Sequence, residues 1–596
     1  MLAVVGLVAL TARVLYLLVV QDRGLFFGLF LDSRHYADQA ALIRAGHGIG
    51  GHPYLFSPSY PYFLALFTSG GGELSVHAVR AVQAAFGAAT AVLTALIGSR
   101  IGGRAAGWIA GLLAALYGPF IHTDSMILVT ALQTFFFTLA LWLVLEARES
   151  PLRWFGVGLA LGAAVILRPT GLAIAAAVVA VLLLRRCRRQ AMLFCGALIL
   201  MILPFTVRNV VQAGEWVLLS ANGGVNFWVG NRAGASGLYR LPPGTDFVND
   251  PLSKRNAEVA AGRSLGYREA SRWWSKQAIE DIRRAPLSWL RLMSWKVAYF
   301  LHPKEISQLG SSFHWYRDRA WPLRFPIDAR WLFVLAALAV FARRRLSPEG
   351  LFWSTCFLLV YIAGICLFFV TGRHRSPIMP IPIVLASGTA VGLWSLVRTG
   401  ERQQRLRLVV SSLVALVVLG GASHWLYHDR DAPFYVSEVT GNEERHQGMA
   451  LFDAGRYDEA AEAYRKALEI KNDYITRNNL ANALKGAGRI EEAEREYRES
   501  LRLNPAWALA WYNYGVLLHA DLARFADAER ALENAIRHAP LMPEPYFRLG
   551  RLYSETSRPQ EAIEALEQCI RLAPPNSPLQ PRARSLIDAA RAATGP

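Results

Sequence analysis

Residues 2–20 read LAVVGLVALTARVLYLLVV, and residues 31–40 read LDSRHYADQA. The first stretch can cross a bilayer as a helix, which takes about 20 mostly apolar residues. The second places an acidic residue, Asp32, just beyond it, with Tyr36 close behind. A plain anchor needs neither. A carboxylate held at a membrane surface can act as general base on a hydroxyl or orient it. An Asp there can equally cap the helix that follows by accepting from its free N–H groups. Arg13 interrupts the apolar run; a guanidinium in mid-membrane costs about 2.5–3.5 kcal/mol on insertion scales, so Arg13 is expected to face protein rather than lipid. With no basic region before it and no clear small-residue cleavage site, the run reads as a retained first helix.

The pattern repeats along the chain. Of 596 residues, 53% are hydrophobic and 18% charged, and the mean hydropathy is +0.25. About eleven spans are expected by the length criterion: 2–20, 76–98, 105–120, 125–146, 154–168, 170–185, 191–209, 328–342, 350–371, 377–397 and 406–427. The expected fold class is all-α: a polytopic membrane bundle over residues 1–430, then a helical solenoid over 441–596.

Charge orients the bundle. Residues 441–596 hold 21 Lys and Arg against 23 Asp and Glu, so the excess behind the chain's net +18 belongs to the membrane part. Arg100 and Arg104, Arg185 to Arg189, Arg343 to Arg345, and Arg398 to Arg407 fall on one face if the N-terminus lies inside, as the positive-inside rule asks. The loop 21–75, the turn at 121–124, Arg168, the segment 210–327, the turn 372–376 and everything after the last span then become extracytoplasmic. A nucleic-acid role is set aside, since no soluble basic domain exists to carry it. Cys187, Cys195, Cys356, Cys366 and Cys569 form no close metal-ligand pair and read as small buried hydrophobes.

After about residue 440 a repeat of about 34 residues appears, of helix-turn-helix type. Its units include GMALFDAGRYDEAAEAYRKALEIKND (448–473), LANALKGAGRIEEAEREYRESLRLNP (480–505), WYNYGVLLHADLARFADAERALENAIRHAP (511–540) and YFRLGRLYSETSRPQEAIEALEQCIRLAP (546–574). Small residues recur where paired helices pack closely: Gly448, Ala460, Ala467; Ala481, Ala493, Ser500; Gly515, Ala528, Ala535; Gly550, Ala562, Cys569. This is the tetratricopeptide (TPR) pattern, and residues 580–593 read as a capping helix. Such a stack presents a concave surface to peptides or proteins; a structural or dimerisation role is the plainer reading.

Five motifs on the expected outer face carry chemistry. LDSRHYADQA offers Asp32, with His35 and Tyr36 as substrate contacts, and is followed by the ordered-looking HPYLFSPSYPYFLALF (52–67). YGPFIHTDSMILVTAL (117–132) offers Asp124 as a second charge, an acceptor, a metal ligand or a helix cap. VILRPTGL (165–172) ends an apolar helix with Arg168, placed to bind a lipid phosphate or to snorkel. TGRHRSPIMP (371–380) groups Arg373, His374 and Arg375, which suit a phosphate leaving group. The loop 220–246, rich in Gly and Asn, offers Asn222, Asn226 and Asn231 for a sugar, though turns share that composition.

LDSRHYADQA, SPSYPYFLALF, LRPTGL, NGGVNFWVGN and RHRSPIMPI, in this order, resemble the polyprenyl-phosphate-sugar-dependent GT-C glycosyltransferases of the protein O-mannosyltransferase and aminoarabinose-transferase type, over roughly residues 1–427. The fusion to TPRs resembles the transmembrane-and-TPR O-mannosyltransferases in architecture. The resemblance implies a catalytic role for Asp32, a match for Tyr36, a second acidic position at Asp124, and a match of the Arg-rich turn to Arg373 and Arg375. Departures are Asp32-Ser33 where the family often has Asp-Glu, and Met126 and Thr130 where acidic residues often follow the second Asp; these leave the donor sugar and a divalent metal open. The resulting expectation is an inverting glycosyltransferase of the cell membrane. It moves a sugar from a polyprenyl-phosphate donor to a hydroxyl, with TPRs outside presenting a protein acceptor. The rival expectations are a non-enzymatic TPR scaffold and transfer to a lipid or glycan.

Overall fold

The computed structural model describes residues 1–20, 32–147, 150–239, 252–302, 320–399, 447–573 and 577–594, with isolated positions between them. Among these the chain is helical, with no strand and one isolated bridge between Thr68 and Leu74. The described residues form two compact units, one up to residue 414 and one from residue 444 on. The expected limits at 430 and 441, and the expected span 406–427, lie outside the described residues apart from Val410 and Val414.

In the first unit, α1 (Leu2–Val20) is followed by α2 (Asp32–Arg44) and the short α3 (Tyr60–Ala65). The long α4 (Val76–Leu116) is two helices folded back on each other at Gly103, whose φ of +83° glycine adopts without strain. Small residues let the two halves close: a Cβ on Gly111 would meet the Cβ of Ala95 at 2.7 Å. Then come α5 (Gly118–Ser125), α6 (Thr130–Ala147), α7 (Pro151–Leu167), α8 (Leu172–Leu184) and α9 (Arg188–Ala213). The long segment after α9 holds α10 (Gly223–Asn231), α11 (Lys254–Ala261), α12 (Tyr267–Arg284) and α13 (Pro286–Leu301). The bundle resumes with α14 (Ala329–Ala337), α15 (Ala339–Ala342), α16 (Pro348–Cys366), the single turn α17 (Gly372–Arg375) and α18 (Pro380–Thr399).

Five of these helices are long and apolar enough to cross a membrane, or six if α17 and α18, bent by 53°, make one broken span. The expected spans 154–168 and 170–185 are present as shorter apolar helices. The expected span 328–342 is broken into α14 and α15, and the fourth span begins at Thr130 rather than at 125. Of the cysteines, Cys366 and Cys569 are buried; the other three are half-exposed, so the buried reading held for two of them.

The clusters at residues 100–104, 185–189 and 343–345 gather at one end of this unit, while most of 398–407 lies outside the described residues. Arg100 pairs with Glu146 at 3.6 Å, Arg153 donates to the Glu146 carbonyl at 2.6 Å, and Arg185 pairs with Glu349 at 2.6 Å. Ser347 N–H donates to the Ile101 carbonyl at 2.9 Å. Arg168 and the turn Gly372–Arg375 follow the far ends of α7 and α16, away from that end.

The second unit stacks paired helices: α19 (Tyr457–Ile470), α20 (Tyr474–Gly486), α21 (Ile490–Leu503), α22 (Ala508–Ala520), α23 (Phe525–His538), α24 (Pro543–Glu555), α25 (Pro559–Leu572) and the closing α26 (Leu579–Thr594). The small residues of the repeat sit at the helix crossings. Ala460, Ala481, Ala493, Ala528, Ala535, Ala562 and Cys569 are fully buried, and a Cβ on Gly515 would run into Leu532. In each of the four repeats an arginine precedes the second helix and pairs three residues on: Arg456 with Glu459, Arg489 with Glu492, Arg524 with Asp527 and Arg558 with Glu561. Three of them also reach back one repeat, to Asp458, Glu494 and Glu529. Exposed pairs contribute about 0–1 kcal/mol each, so they set register between repeats more than they stabilise. The cap α26 closes the stack by burying Ala583 and Ile587 against Leu566 and Cys569.

Candidate active site

The site forms at the far end of the first unit from the basic clusters, where three parts of the chain meet. Asp32 lies in the first turn of α2, where the helix N-terminus favours negative charge. Its Oδ2 is 2.5 Å from Nη1 of Arg373 in the turn α17, an ion pair spanning 341 residues of sequence. Both side chains are largely but not wholly buried, 19% and 12% exposed, so a substrate can still reach them. Arg168, the residue that ends α7, lies within electrostatic reach of Arg373, Asp32, Tyr36 and Tyr361. Its Nη1 is shut off from solvent and makes no hydrogen bond among the described residues.

Tyr36 is buried one turn after Asp32, edge-on to Tyr60 at 5.2 Å, with a backbone hydrogen bond from Ser57. Burial, with Asp32 nearby, raises its phenol above the ordinary range. His35 packs edge-on against Phe56 at 4.9 Å and bonds Gln39 at 2.9 Å. Burial lowers its pKa, against the pull of Asp32.

The Arg-rich turn divides in two. Arg373 points to Asp32, but Arg375 points away: it is buried, ion-paired with Glu305, and donates to the carbonyls of Phe300 and His302. His374 is buried behind the turn, its Nδ1 3.0 Å from the Thr371 hydroxyl and its carbonyl accepting from Tyr361 at 2.8 Å. Of the four groups expected at a phosphate, the structure brings Arg373 to Asp32 with Arg168 in electrostatic reach, and turns His374 and Arg375 to other partners.

Asp124 does not join this cluster. It lies in the last turn of α5, and its Oδ2 takes both Nε and Nη2 of Arg13 at 2.8 Å, with both residues buried. Gly87 makes room, since a Cβ there would overlap both side chains. The expectation for Arg13 therefore holds, while the carboxylate expected to be catalytic or a cap is spent on it. The asparagines also separate. Asn231 is saturated: its amide donates to the carbonyls of Phe227 and Leu367 at 2.8 and 2.7 Å, and its Oδ1 accepts from Trp289 and Lys296 at 3.0 Å each. That leaves it no group for a sugar. Asn222 stands at the start of α10 and accepts from the Ser220 hydroxyl at 3.0 Å; Asn226 lies on α10 itself.

Two residues here were not singled out by the sequence. Glu305 is the partner of Arg375, and its following residue, Ile306, accepts from Gly372 N–H at 2.8 Å, tying the end of the long segment to the turn. Tyr239, in the glycine-rich loop, packs its ring 4.8 Å from Phe369. Burial first, then Asp32, pushes its phenol up to about 12, while Arg373 opposes. Its aromatic character in a loop read as sugar-gripping was the one available signal.

Among the described residues, the pair Asp32–Arg373 with Arg168 sets one carboxylate against two guanidiniums, and Arg375 has its own carboxylate. Such a donor set suits an anion, not a divalent cation. Among the described residues no three His, Cys, Asp or Glu side chains group as metal ligands.

Residues 52–208 match the family model described as dolichyl-phosphate-mannose-protein mannosyltransferase. That match takes in Asp124 and Arg168, while Asp32 and Arg373 lie outside it. Residues 451–512 and 516–577 each match a tetratricopeptide-repeat family model. No curated protein matches the chain. Similar solved structures include MamA, 26% identical over 25% of this chain and 84% of its own, with a TM-score of 0.23. YrrB, described as a TPR protein with an unusual peptide-binding site, is 16% identical over 32% and 96%, TM-score 0.22. Yeast Tom70 is 14% identical over 79% and 93%, TM-score 0.26. Scores this low add nothing about function. The chain thus carries, in its first unit, a segment that matches the dolichyl-phosphate-mannose-protein mannosyltransferase family model and, in its second, an array that matches tetratricopeptide-repeat models.

Proposed function

We propose that the chain is an inverting membrane glycosyltransferase that moves a sugar from a polyprenyl-phosphate donor to an acceptor hydroxyl on the extracytoplasmic face, with the TPR array engaging a protein acceptor or partner. The observation that carries this reading is the charge balance of the site. Among the described residues Arg168 and Arg373 face the carboxylate of Asp32, and Arg168 Nη1 is left without a partner there. A buried donor left unsatisfied costs about 1–3 kcal/mol, so a bound anion relieves both the excess charge and the unmet hydrogen bond. A lipid phosphate at the end of an apolar helix supplies that anion.

The roles follow from the geometry. Arg168 and Arg373 hold the donor phosphate and stabilise the charge left on it as the sugar departs, which is electrostatic catalysis. Asp32 takes the proton of the attacking hydroxyl. With 2.5 Å between Asp32 and Arg373, no sugar fits between base and phosphate ligand. Donor binding therefore draws Arg373 to the phosphate and frees the carboxylate. The gathering of the basic clusters at the other end of the unit supports an outward-facing site, since basic residues favour the cytoplasmic side.

Reconstitution tests the reading. Purified full-length protein in liposomes, given a polyprenyl-phosphate sugar, is expected to transfer labelled sugar to a protein acceptor. A variant lacking residues 441–596 is expected to bind donor nearly as well but to transfer much less to protein. Labelled sugar on lipid or glycan alone would favour those acceptors instead. No transfer to any acceptor, together with no donor binding, would favour the scaffold.

A further inference from the structure

We infer that Tyr239 is a substrate-contacting residue of this site, its hydroxyl hydrogen-bonding the sugar that is transferred; the inference rests on the donor-phosphate reading of Arg168 and Arg373. Besides Tyr239, two tyrosines lie at the site, Tyr36 beside Asp32 and Tyr361 beside Arg168, and both have committed their hydroxyls. Tyr36 is held by the Ser57 backbone, and Tyr361 donates to the His374 carbonyl at 2.8 Å. The Tyr239 hydroxyl makes no hydrogen bond among the described residues, although the ring itself is fixed. Phe369 lies 4.8 Å from it, and the Gly237 carbonyl, two residues before, accepts from Val370 N–H at 3.0 Å. Gly237 has a φ of +84°, and Lys296 Cγ lies 3.0 Å from where its Cβ would stand. Only glycine suits that turn, so the loop approaches α13 closely and carries Tyr239 to a set place. A half-buried hydroxyl on an anchored ring, unspent in the free protein, is a ready partner for a ligand.

Its position selects the sugar over the lipid. Phe369 and Val370, which fix the ring and its loop, lie just before the turn that carries Arg373, so Tyr239 stands beside the Asp32–Arg373 pair. In transfer the acceptor oxygen bonds the anomeric carbon while the bond from that carbon to the phosphate oxygen breaks. The acceptor proton goes to Asp32, and the electron pair leaves with polyprenyl phosphate, held by the arginines. Once Arg373 has moved to the phosphate, the sugar lies between it and Asp32, and a hydroxyl held beside the pair flanks that sugar. Tyr239 neither gains nor loses a proton; it positions the ring.

The test compares two probes on full-length protein in lipid nanodiscs: polyprenyl phosphate alone, and whichever polyprenyl-phosphate hexose the wild type binds most tightly. Tyr239→Phe keeps the ring against Phe369 and removes only the oxygen. One neutral hydrogen bond corresponds to about a three- to tenfold loss. Tyr239→Phe is expected to bind polyprenyl phosphate normally and the glycosylated probe three- to tenfold more weakly, with an unchanged unfolding temperature. Equal weakening of both probes, or of neither, overturns the assignment. Arg168→Gln, measured beside it, is expected to weaken both probes. Unchanged binding of both by Arg168→Gln would sink the donor-phosphate reading while leaving the Tyr239 comparison to be judged on its own.

Discussion

Asp32→Asn is expected to reduce sugar transfer by about 10²–10⁴-fold, the usual loss when a general base is removed. Asn keeps the shape of the side chain and much of any capping capacity at the start of α2, so the fold should survive. Donor binding should not fall with transfer. In the free protein Arg373 is neutralised by Asp32, and removing that competing carboxylate leaves the guanidinium open to phosphate. The expected signature is slow turnover with donor affinity equal to or higher than that of the wild type. Near-normal turnover would reduce Asp32 to a helix cap and structural ion pair.

The second large effect lies away from the site. Removing one partner of a buried ion pair costs about 3–5 kcal/mol, because the other charge stays buried. Asp124→Leu leaves the Arg13 guanidinium alone among α1, α4 and α5, and Arg13→Leu leaves the carboxylate alone. Each single variant should lose about that much stability in reversible denaturation. The double variant should recover most of it, since apolar replacements of buried pairs are often neutral or better. It should also retain transfer. A double variant that folds well yet transfers nothing would return Asp124 to the chemistry and show that its bond to Arg13 hides a second role.

These two carboxylates show how far the sequence could be read. The place of Asp32 at the start of a helix was legible because its signal is local: an acidic residue placed directly after an apolar run. The helices and the TPR units were legible for the same reason, since apolar periodicity and the spacing of Gly448, Gly515 and Gly550 repeat within short windows. Asp124 looked equally good by local criteria, but what decides its role is Arg13, 111 residues away and across a helix crossing. Asn231 likewise carried the composition of a sugar-binding loop, yet its amide is consumed by Phe227, Leu367, Trp289 and Lys296. Arg373 and Arg375 are two positions apart and face opposite partners, because one helical turn directs neighbouring side chains to different sides. The partner of Arg375, Glu305, has no periodic pattern around it in the sequence to announce it. Burial and long-range pairing, not residue type, separated the residues of the site from those that hold the bundle together.

The central claim is that Arg168 and Arg373 bind the phosphate of the donor lipid. Its most direct measurement is the affinity of full-length protein in nanodiscs for polyprenyl phosphate, wild type against Arg168→Gln with Arg373→Gln. Charge-assisted hydrogen bonds contribute about 1.5–3 kcal/mol each, so the double variant should bind at least tenfold more weakly while its unfolding transition stays close to that of the wild type. Unchanged affinity in a folded double variant would contradict the account, because the charge balance on which it rests would then serve no ligand.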